Sequence, residues 1–440
     1  MLFLRDVLAN INHLLWGPPL ILILAGMGLY FTLKLRLLQV FGFRRALAFV
    51  FRGDDGHGDV SHFASLCTAL SATIGTGSVV GVSMAIVAGG PGALFWMWVM
   101  AFLGMATKYA EGFLAIKFRR MGEDGKIAGG PMHYIEMGTG IRWLAKIFAI
   151  CGIFSALLGM GTFAQVNSIT MAAGNFGIPK IATAIPLTLL VTIIIHGGIR
   201  RIALLSGWVV PFMCAFHIIA SLVVLGIHFR DILPGLGLVI QGAFCPRAIL
   251  GGSLGIGLYT VMQMGVSRGT YATEAGWGSA AIAAAAAKTN APVRQGLVCM
   301  TGVFFSTIVC TMTGLVLIVT RDQTNLFQTP LEGIALVSQA FTMNIGSAGR
   351  YVVNLGLIFF AFTTILGWNY YGEKCFQYLW GLGKLSIYRI LFIAMIALGP
   401  LLQLNTIFIV ADICSGLMVI PNLIGLFLLR KLIICESTSG

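Results

Sequence analysis

Charged side chains are scarce in this chain. Only 10% of its 440 residues are charged, whereas 58% are hydrophobic, and the mean hydropathy is +0.92. A typical soluble domain has about 25% charged and 45–50% apolar residues, so one water-soluble core could not bury this much apolar surface. The composition excludes a soluble enzyme, a nucleic-acid-binding protein and a disordered chain. It predicts an all-α integral membrane protein.

Motifs of covalent and metal chemistry are missing as well. The nine cysteines contain no Cys-x-x-Cys and show no disulfide or zinc pattern, and the seven histidines have no metal-binding spacing. No paired acids, nucleophile motif or zincin motif supports catalysis. The first apolar stretch, near 18–33, ends in Lys34 and Arg36 instead of a small-residue cleavage site, so we expect no cleavable signal peptide. The chain is therefore predicted not to be an enzyme.

Long apolar runs, in contrast, are abundant. A helix needs about 20 apolar residues to cross the hydrocarbon core of a bilayer. We expect every such run to be helical, because lipid offers no partner for open backbone groups. Eleven runs are long enough: 16–38, 62–88, 91–117, 143–173, 181–198, 204–228, 249–267, 296–320, 350–372, 387–406 and 407–429.

Basic residues outnumber acidic residues by 28 to 15, which gives a net charge of +13. If the N-terminus lies outside and the loops alternate, 22 of the basic residues fall on the inner side and six on the outer side. This asymmetry is typical of the positive-inside rule and favours eleven spans with the C-terminus inside. The net positive charge then reflects the orientation of the chain in the membrane. We expect the lipid bilayer as its surroundings, and no nucleic acid or obligatory protein partner.

Glycines interrupt two of the apolar runs. The second span contains Ser71-Ala72-Thr73-Ile74-Gly75-Thr76-Gly77-Ser78, and the seventh opens on the glycine-rich residues 251–257. Transporters commonly bind solutes at the membrane midplane, where an interrupted helix exposes its ends. Unwinding at Gly75 and Gly77, and at Gly255 and Gly257, would bare N–H groups for a carboxylate and carbonyls for a cation. The alternative is close helix packing, since Gly77 and Gly81 also form Gly-x-x-x-Gly.

The two interrupted spans also predict an internal repeat. The seventh span follows the second by five helices, an odd number, so a repeat that begins there enters from the opposite face. The prediction is one transporter domain over 1–440, with a first repeat at 62–228 and an inverted second repeat at 249–430. Residues 1–61 then form an additional N-terminal helix and a cytoplasmic loop. The alanine-rich segment 268–295 is predicted to be a cytoplasmic or interfacial scaffold or gate.

Several motifs over nearly the whole chain resemble the alanine/glycine:cation symporter family, also called sodium:alanine symporters. The resemblance implies a fold of the leucine-transporter class. It also implies uptake of alanine or glycine with sodium, by alternating access, across a bacterial or archaeal cytoplasmic (inner) membrane. The motifs are Trp16-Gly17-Pro18-Pro19, residues 68–77, residues 89–98, residues 104–111, Gly129-Gly130-Pro131-Met132, Glu274-Ala275-Gly276-Trp277-Gly278-Ser279-Ala280, Gln295-Gly296-Leu297, residues 363–368 and Pro421-Asn422-Leu423.

The resemblance also implies roles for particular residues. The substrate carboxylate would accept from the N–H groups of Gly75, Thr76 and Gly77. The coupling ion, sodium, would be bound by carbonyls and hydroxyls of Ser71, Ile74, Phe360, Thr363 and Thr364. Two departures from the family pattern leave details open. Ser78, a further candidate for binding substrate, replaces a frequent asparagine, which puts a second ion in doubt, and Ala272-Thr273 replaces a frequent Ser-Asn at the inner gate.

Three further side chains are candidates for binding substrate. Gln165 lies in the fourth span, where an amide is costly unless it is partnered, so it faces either the cavity or a neighbouring helix. Trp368 follows Thr364 by one helical turn and could form a bulky wall beside a substrate as small as alanine. Gln263 could line the opposite wall.

Four charged residues are candidates for a gate or a structural role. Lys108 and Glu111 are three residues apart on one helix and could form an ion pair. Glu274 could pair with Arg268 as an inner gate. A proton-coupled carrier of the same fold remains the alternative function, with Glu111 or Asp412 as the proton site.

Overall fold

The structure is a computed structural model that describes residues 2–53, 56–122, 125–244, 257–326, 331, 333–401 and 405–438. Helices dominate these ranges, and the one sheet is a two-stranded antiparallel hairpin of β1 (Arg120–Met121) and β2 (Ile127–Ala128). Short 3-10 turns lie at Thr76–Ser78, Leu382–Lys384 and Gly399–Leu401. The α-helices are α1 Leu2–Leu15, α2 Pro18–Lys34, α3 Leu38–Phe41, α4 Phe43–Phe51, α5 His62–Thr73, α6 Val80–Gly89, α7 Gly92–Lys117, α8 Pro131–Thr139, α9 Arg142–Leu158, α10 Phe163–Gly174, α11 Lys180–Ile195, α12 Gly198–Ile227, α13 Phe229–Phe244, α14 Leu258–Thr273, α15 Ser279–Ala285, α16 Pro292–Val319, α17 Arg321–Thr324, α18 Gly333–Ile345, α19 Ser347–Trp380, α20 Leu385–Leu398, α21 Asn405–Leu428 and α22 Arg430–Thr438.

Membrane-length apolar helices confirm the all-α membrane class. Among the described residues, six helical stretches are long and apolar enough to cross a bilayer, and eight if each of two bent pairs is one span. The prediction of eleven spans and of an inverted 5+5 repeat stays a prediction. Residues 251–256, including Gly255, lie outside the described ranges, and Gly257 is the extended residue just before α14.

The helix α7 lies at the centre of the molecule, because small residues let its neighbours approach closely. A Cβ on Gly104 would come within 2.7 Å of the Ala275 side chain, and one on Gly112 within 2.6 Å of the Cys299 sulfur. By contrast, α12 keeps large apolar side chains such as Leu204 and Trp208 exposed. These patterns are typical of a central helix packed on small residues and of an outer helix that faces lipid.

Among the described residues, two of the predicted spans are interrupted near their middle. The second predicted span divides into α5 and α6, with a 68° bend between His62–Thr73 and Thr76–Gly89, as its glycines predict. The fourth predicted span is interrupted as well, at residues 159–162 between α9 and α10, which we did not predict from the sequence. Gly161 lies at this second break, where a Cβ would come within 2.5 Å of the Ala156 carbonyl oxygen.

The alanine-rich segment is buried against the rest of the fold. All seven residues of α15 are buried, and α14 extends through Thr273. The following loop pairs with the chain before α5, since Val60 and Ala287 form a parallel bridge and the Lys288 amide donates to the Val60 carbonyl at 2.8 Å. The segment therefore contacts the chain that leads into α5, and its role as a scaffold or a gate stays a prediction.

Arg119 joins three segments at this end of the molecule, just beyond the last residue of α7. Its guanidinium donates to the carbonyls of Ala285 at 2.9 Å, Ala287 at 2.7 Å and His57 at 2.7 Å, and also to that of Thr289. One charged side chain thus satisfies backbone acceptors of two loops that have no regular secondary structure. We call this group the Arg119 junction.

Candidate functional site

The break between α5 and α6 is made by two residues with non-helical backbone angles. Ile74 has φ −82° and ψ 80°, and Gly75 has φ −119° and ψ −150°. Thr76 and Gly77 then begin a short 3-10 turn, where the first N–H groups of a helix have no intrahelical acceptor. Both residues are half-buried, so these N–H groups lie at the edge of accessible space.

The predicted sodium ligands converge at this break. The Thr364 hydroxyl lies 3.0 Å from the Ser71 carbonyl oxygen and 2.8 Å from that of Phe360, so α5 and α19 meet through oxygen atoms. A Cβ on Gly75 would lie 2.5 Å from the same hydroxyl oxygen. Because only glycine leaves room here, the unwound backbone can approach α19 closely.

Thr363 and Ile74 take different positions from Thr364. The Thr363 hydroxyl lies 3.1 Å from the Phe359 and Phe360 carbonyl oxygens of its own helix, and 3.6 Å from the Met213 sulfur. Ile74 is fully buried as the residue that ends α5. The structure therefore brings Ser71, Phe360 and Thr364 together directly, whereas the Thr363 hydroxyl stays on its own helix.

Helix packing does not explain the glycines after the break. A Cβ on Gly77 would meet nothing within 4 Å, and one on Gly81 would meet only the Arg268 Cδ at 4.0 Å. The Gly-x-x-x-Gly interpretation requires backbones in close contact at both glycines. The structure therefore shows no close backbone contact at Gly77.

Gln165 and Trp368 lie beside the second interruption. Gln165 is 1% exposed in the first turn of α10, and neither atom of its amide has a hydrogen-bond partner among the described residues. A Cβ on Gly161 would come within 2.9 Å of the Trp368 Cβ, and a Cβ on Gly367 within 2.9 Å of the Ser71 hydroxyl. Trp368 is therefore next to the second break, and its neighbour Gly367 packs against α5. A buried amide without partners is rare in proteins and is a position where a ligand or water can bind.

Gln263 is not brought to the break. It is half-buried near the start of α14, and its neighbour Met264 packs at the opposite end of α6, where a Cβ on Gly89 would lie 3.0 Å from the Met264 Cβ. The ten residues of α6 separate this position from the break by about 15 Å at 1.5 Å per residue. Gln263 therefore lies about 15 Å from Gly77 along the axis of α6, so it does not form a wall opposite Trp368.

Lys108 and Glu111 bind one loop instead of each other. The Lys108 ammonium donates to the carbonyls of Thr273 at 3.1 Å and Glu274 at 2.9 Å. The Glu111 carboxylate accepts from the Gly278 amide at 3.0 Å and from Asn422 at 2.8 Å. The described residues show no ion pair between them, because the two groups hold opposite ends of the loop between α14 and α15.

The predicted pair of Arg268 and Glu274 is not formed either. Glu274 adopts the left-handed backbone conformation with φ 49°, is fully buried, and accepts from the Ser279 hydroxyl at 2.6 Å. The Arg268 guanidinium instead lies 5.8 Å from the centre of the Tyr271 ring, whose hydroxyl donates to Asp412 at 2.8 Å. The turn after α14 directs Glu274 inwards and away from Arg268.

The structure shows what the two residues that depart from the family pattern, Ser78 and Thr273, contact. Ser78 is fully buried beside the Cys310 thiol of α16, on the inner side of the turn that follows the break. The Thr273 hydroxyl donates to the Gly269 carbonyl at 2.9 Å and ends α14. Ser78 therefore packs against α16, and Thr273 stabilises the loop that Lys108 binds.

Asn422 is the main side chain that sequence reasoning did not single out. It donates to Glu111 and to the Gly276 carbonyl at 2.9 Å, and it accepts from the Tyr134 hydroxyl. An asparagine within a long apolar run was the available signal, since polar groups in lipid need partners. Asn369 also lies within a long apolar run. In the structure, both of its amide atoms are buried without a partner among the described residues.

The fold and the site define a class of protein. A multi-pass helical membrane protein, with a helix broken beside closely spaced oxygen atoms of a second helix, is typical of a secondary transporter and not of an enzyme. The chain belongs to the sodium:alanine symporter family, whose model matches residues 1–438. It is thus a multi-pass protein of the cell membrane in an amino-acid and cation symporter family.

Relatives over almost the full length are similar to this chain. An uncharacterized transporter of Haemophilus influenzae is 52% identical over 438 residues, 99% of this chain and 95% of the relative. The sodium/alanine symporter AgcS of Methanococcus maripaludis is 44% identical over 437 residues, 97% of this chain and 95% of the relative. The putative sodium/proton-dependent alanine carrier protein YrbD of Bacillus subtilis is 35% identical over 450 residues, 97% of this chain and 90% of the relative.

Proposed function

We propose that this protein is a sodium-coupled symporter that imports alanine and glycine by alternating access, with its N-terminus outside and its C-terminus inside. The observation that carries the proposal is the meeting of Thr364, Ser71 and Phe360 beside Gly75. Oxygen-only ligands suit a hard cation such as sodium. The relative named a sodium/alanine symporter supports the same ion and substrate.

Sodium at this position would connect the broken helix to α19. The Ser71 carbonyl belongs to α5, whereas Phe360 and Thr364 belong to α19, so a shared cation would hold the two helices together. Holding them fixes the unwound residues from Gly75 to Gly77. Substrate then binds an already ordered backbone, and by linkage each ligand raises the affinity for the other.

The substrate would lie between the break and the second interruption. The N–H groups of Thr76 and Gly77 face its carboxylate, as expected for exposed helix ends. The unpartnered amide of Gln165 supplies a donor and an acceptor, and Trp368 closes the side wall. A wall this bulky limits the substrate to a short side chain, which favours alanine and glycine.

The test is uptake of labelled alanine into proteoliposomes with an imposed sodium gradient. We expect alanine to accumulate above the outside concentration, and Thr364→Ala to raise the sodium concentration for half-maximal uptake by about five- to tenfold, the value of one lost hydrogen-bonding oxygen. Simple equilibration of alanine would instead indicate a passive pore. An unchanged sodium dependence in Thr364→Ala would contradict the assigned site.

Thr307→Ala is the matched control. The Thr307 hydroxyl also donates to the carbonyl four residues earlier, Val303, at 2.7 Å, but within α16 alone. The variant removes the same atoms from a membrane helix without touching the break. We expect wild-type sodium dependence, which separates a loss of the ion site from a general weakening of the helices.

Proton coupling is the second candidate function, and one observation favours it. Glu111 and Glu274 are both at least 99% buried, and the Lys108 ammonium, on the same helix as Glu111, donates to the backbone carbonyl of Glu274 at 2.9 Å. One oxygen of each carboxylate has no hydrogen-bond partner among the described residues. Two buried carboxylates near one ammonium leave an excess negative charge that a proton can neutralise.

A proton gradient without sodium separates the two candidates. If alanine uptake needs sodium and is indifferent to the proton gradient, the sodium symporter is supported and the proton carrier is wrong. If a proton gradient alone drives accumulation and Glu111→Gln abolishes it, the proton carrier is supported. Thr364→Ala should leave such proton-driven uptake unchanged.

A further inference from the structure

A polar cavity lies at the end of α19, away from the proposed transport site. Its volume is about 360 Å³, and its lining includes Arg120 of β1, His133 and Glu136 of α8, and Lys374 and Gln377 of α19. Lys374 follows Thr364 by ten residues, which is about 15 Å along the helix. The cavity is therefore separate from the two helix breaks.

Two of the lining side chains are buried polar groups. His133 is 7% exposed, and its Nδ1 has no hydrogen-bond partner among the described residues. Burial first, and the nearby Arg120 charge second, lower the pKa of His133 to about 4. The ring is therefore neutral at pH 7, with one nitrogen as a hydrogen-bond donor and the other as an acceptor. Lys374 is also 7% exposed, and it donates to the Ile127 carbonyl at 3.1 Å and to the Gln377 side-chain oxygen at 3.2 Å.

The charges of the lining favour an anion. The one carboxylate among the lining residues, Glu136, already accepts from the Tyr378 hydroxyl at 2.8 Å and pairs with Arg142 at 3.2 Å. Arg120, in contrast, is exposed at the mouth, and the described residues include no hydrogen bond or ion pair of its guanidinium. A guanidinium with all its donors available is the side chain that binds phosphate in the bidentate mode.

We propose that this cavity binds a phosphate group through Arg120, Lys374 and the free nitrogen of His133. The phosphate comes either from the headgroup of an anionic lipid or from a soluble phosphate, since basic pockets at the ends of membrane helices bind both chemistries. A bound phosphate bridges Arg120 on the hairpin to Lys374 on α19. The ligand thereby links the hairpin to the helix that carries Thr364.

The experiment measures binding by calorimetry on the purified full chain in neutral detergent. One arm titrates inorganic phosphate against chloride at constant sodium and constant ionic strength. The other arm titrates phosphatidylglycerol in mixed micelles against phosphatidylcholine. The test variant is Arg120→Gln, whose side chain holds no other group, and the matched control is Lys384→Gln, which removes one exposed positive charge of the Leu382–Lys384 turn outside the cavity lining.

We expect saturable binding that Arg120→Gln weakens by about tenfold or more, while Lys384→Gln changes it by less than about twofold. Binding of inorganic phosphate identifies a soluble ligand, and binding of phosphatidylglycerol alone identifies a lipid headgroup; both support the proposal. No saturable binding in either arm would overturn it. Equal losses in the two variants would also overturn it, since they would show a general effect of surface charge.

Discussion

Replacing Gly75 by alanine tests the contact on which the proposed sodium site depends. The backbone angles of Gly75, φ −119° and ψ −150°, are accessible to alanine, so the substitution introduces no backbone strain. The added Cβ would, however, lie 2.5 Å from the Thr364 hydroxyl oxygen. The hydroxyl would have to move by about 1 Å to reach ordinary van der Waals separation.

The cost follows from what holds the hydroxyl. The Thr364 hydroxyl lies within hydrogen-bond distance of two carbonyl oxygens, those of Ser71 and Phe360, so it cannot move without weakening those contacts. Inserting one methyl group into a packed site typically costs about 1–3 kcal/mol. If the sodium-bound state bears that cost, the sodium concentration for half-maximal alanine uptake rises by a factor of about 5 to 150.

A double-mutant cycle with Thr364→Ala isolates the contact. In that background the nearest atom of residue 364 to the new methyl group would be its Cβ, at 3.5 Å, which is an ordinary contact. Gly75→Ala should therefore change the sodium dependence by less than about twofold when Thr364→Ala is already present. Sodium-driven alanine uptake by the two single variants, the double variant and the wild type provides all four values.

Additive effects of the two substitutions would refute this reasoning, because they would mean that Gly75 and Thr364 do not touch. The control is Gly26→Ala in α2, where a new Cβ meets nothing within 4 Å. We expect this variant to transport alanine with wild-type sodium dependence. A similar loss in Gly26→Ala would show that the assay reports a general intolerance of membrane helices to alanine.

Three further predictions concern packing and substrate size. Arg119→Ala should lower the apparent Tm in detergent more than Arg119→Lys, because a lysine keeps the charge and reaches some of the junction carbonyls; equal falls would contradict the junction. Gly372→Ala should also lower the apparent Tm, since its Cβ would clash with the Tyr388 hydroxyl oxygen, and Tyr388→Phe should restore part of the loss. Trp368→Leu should let leucine compete with labelled alanine for uptake, and failure to compete would argue against Trp368 as the wall.

The class of the protein follows from composition, because apolar residues at this density are stable only in lipid. The break at residues 74–77 was also predictable. Glycines within an apolar run let the backbone leave the helical conformation, and the neighbouring hydroxyls are polar groups that need partners in lipid. The interruption at residues 159–162 was not, because its sequence resembles ordinary small-residue packing. Only the backbone shows that α9 ends at Leu158 and that α10 begins at Phe163.

The charged residues show the same division between local pattern and tertiary structure. Spacing along α7 suggested an ion pair of Lys108 and Glu111, but each residue binds the loop after α14, which is more than 160 positions away in sequence. Helical spacing could not foresee that partner, because the left-handed turn at Glu274 directs the loop towards α7. The same turn separates Glu274 from Arg268.

By itself, the sequence determined that this chain is a helical membrane protein, that it resembles sodium:alanine symporters, and that one helix opens at Gly75. These features depend on composition and on local backbone freedom, which are properties of short stretches. Only the tertiary structure decided which oxygens meet Thr364, where Gln165 and Trp368 lie, and that Arg120 and Lys374 share a cavity. Those contacts join residues far apart in sequence, so they arise from helix packing and not from any local pattern.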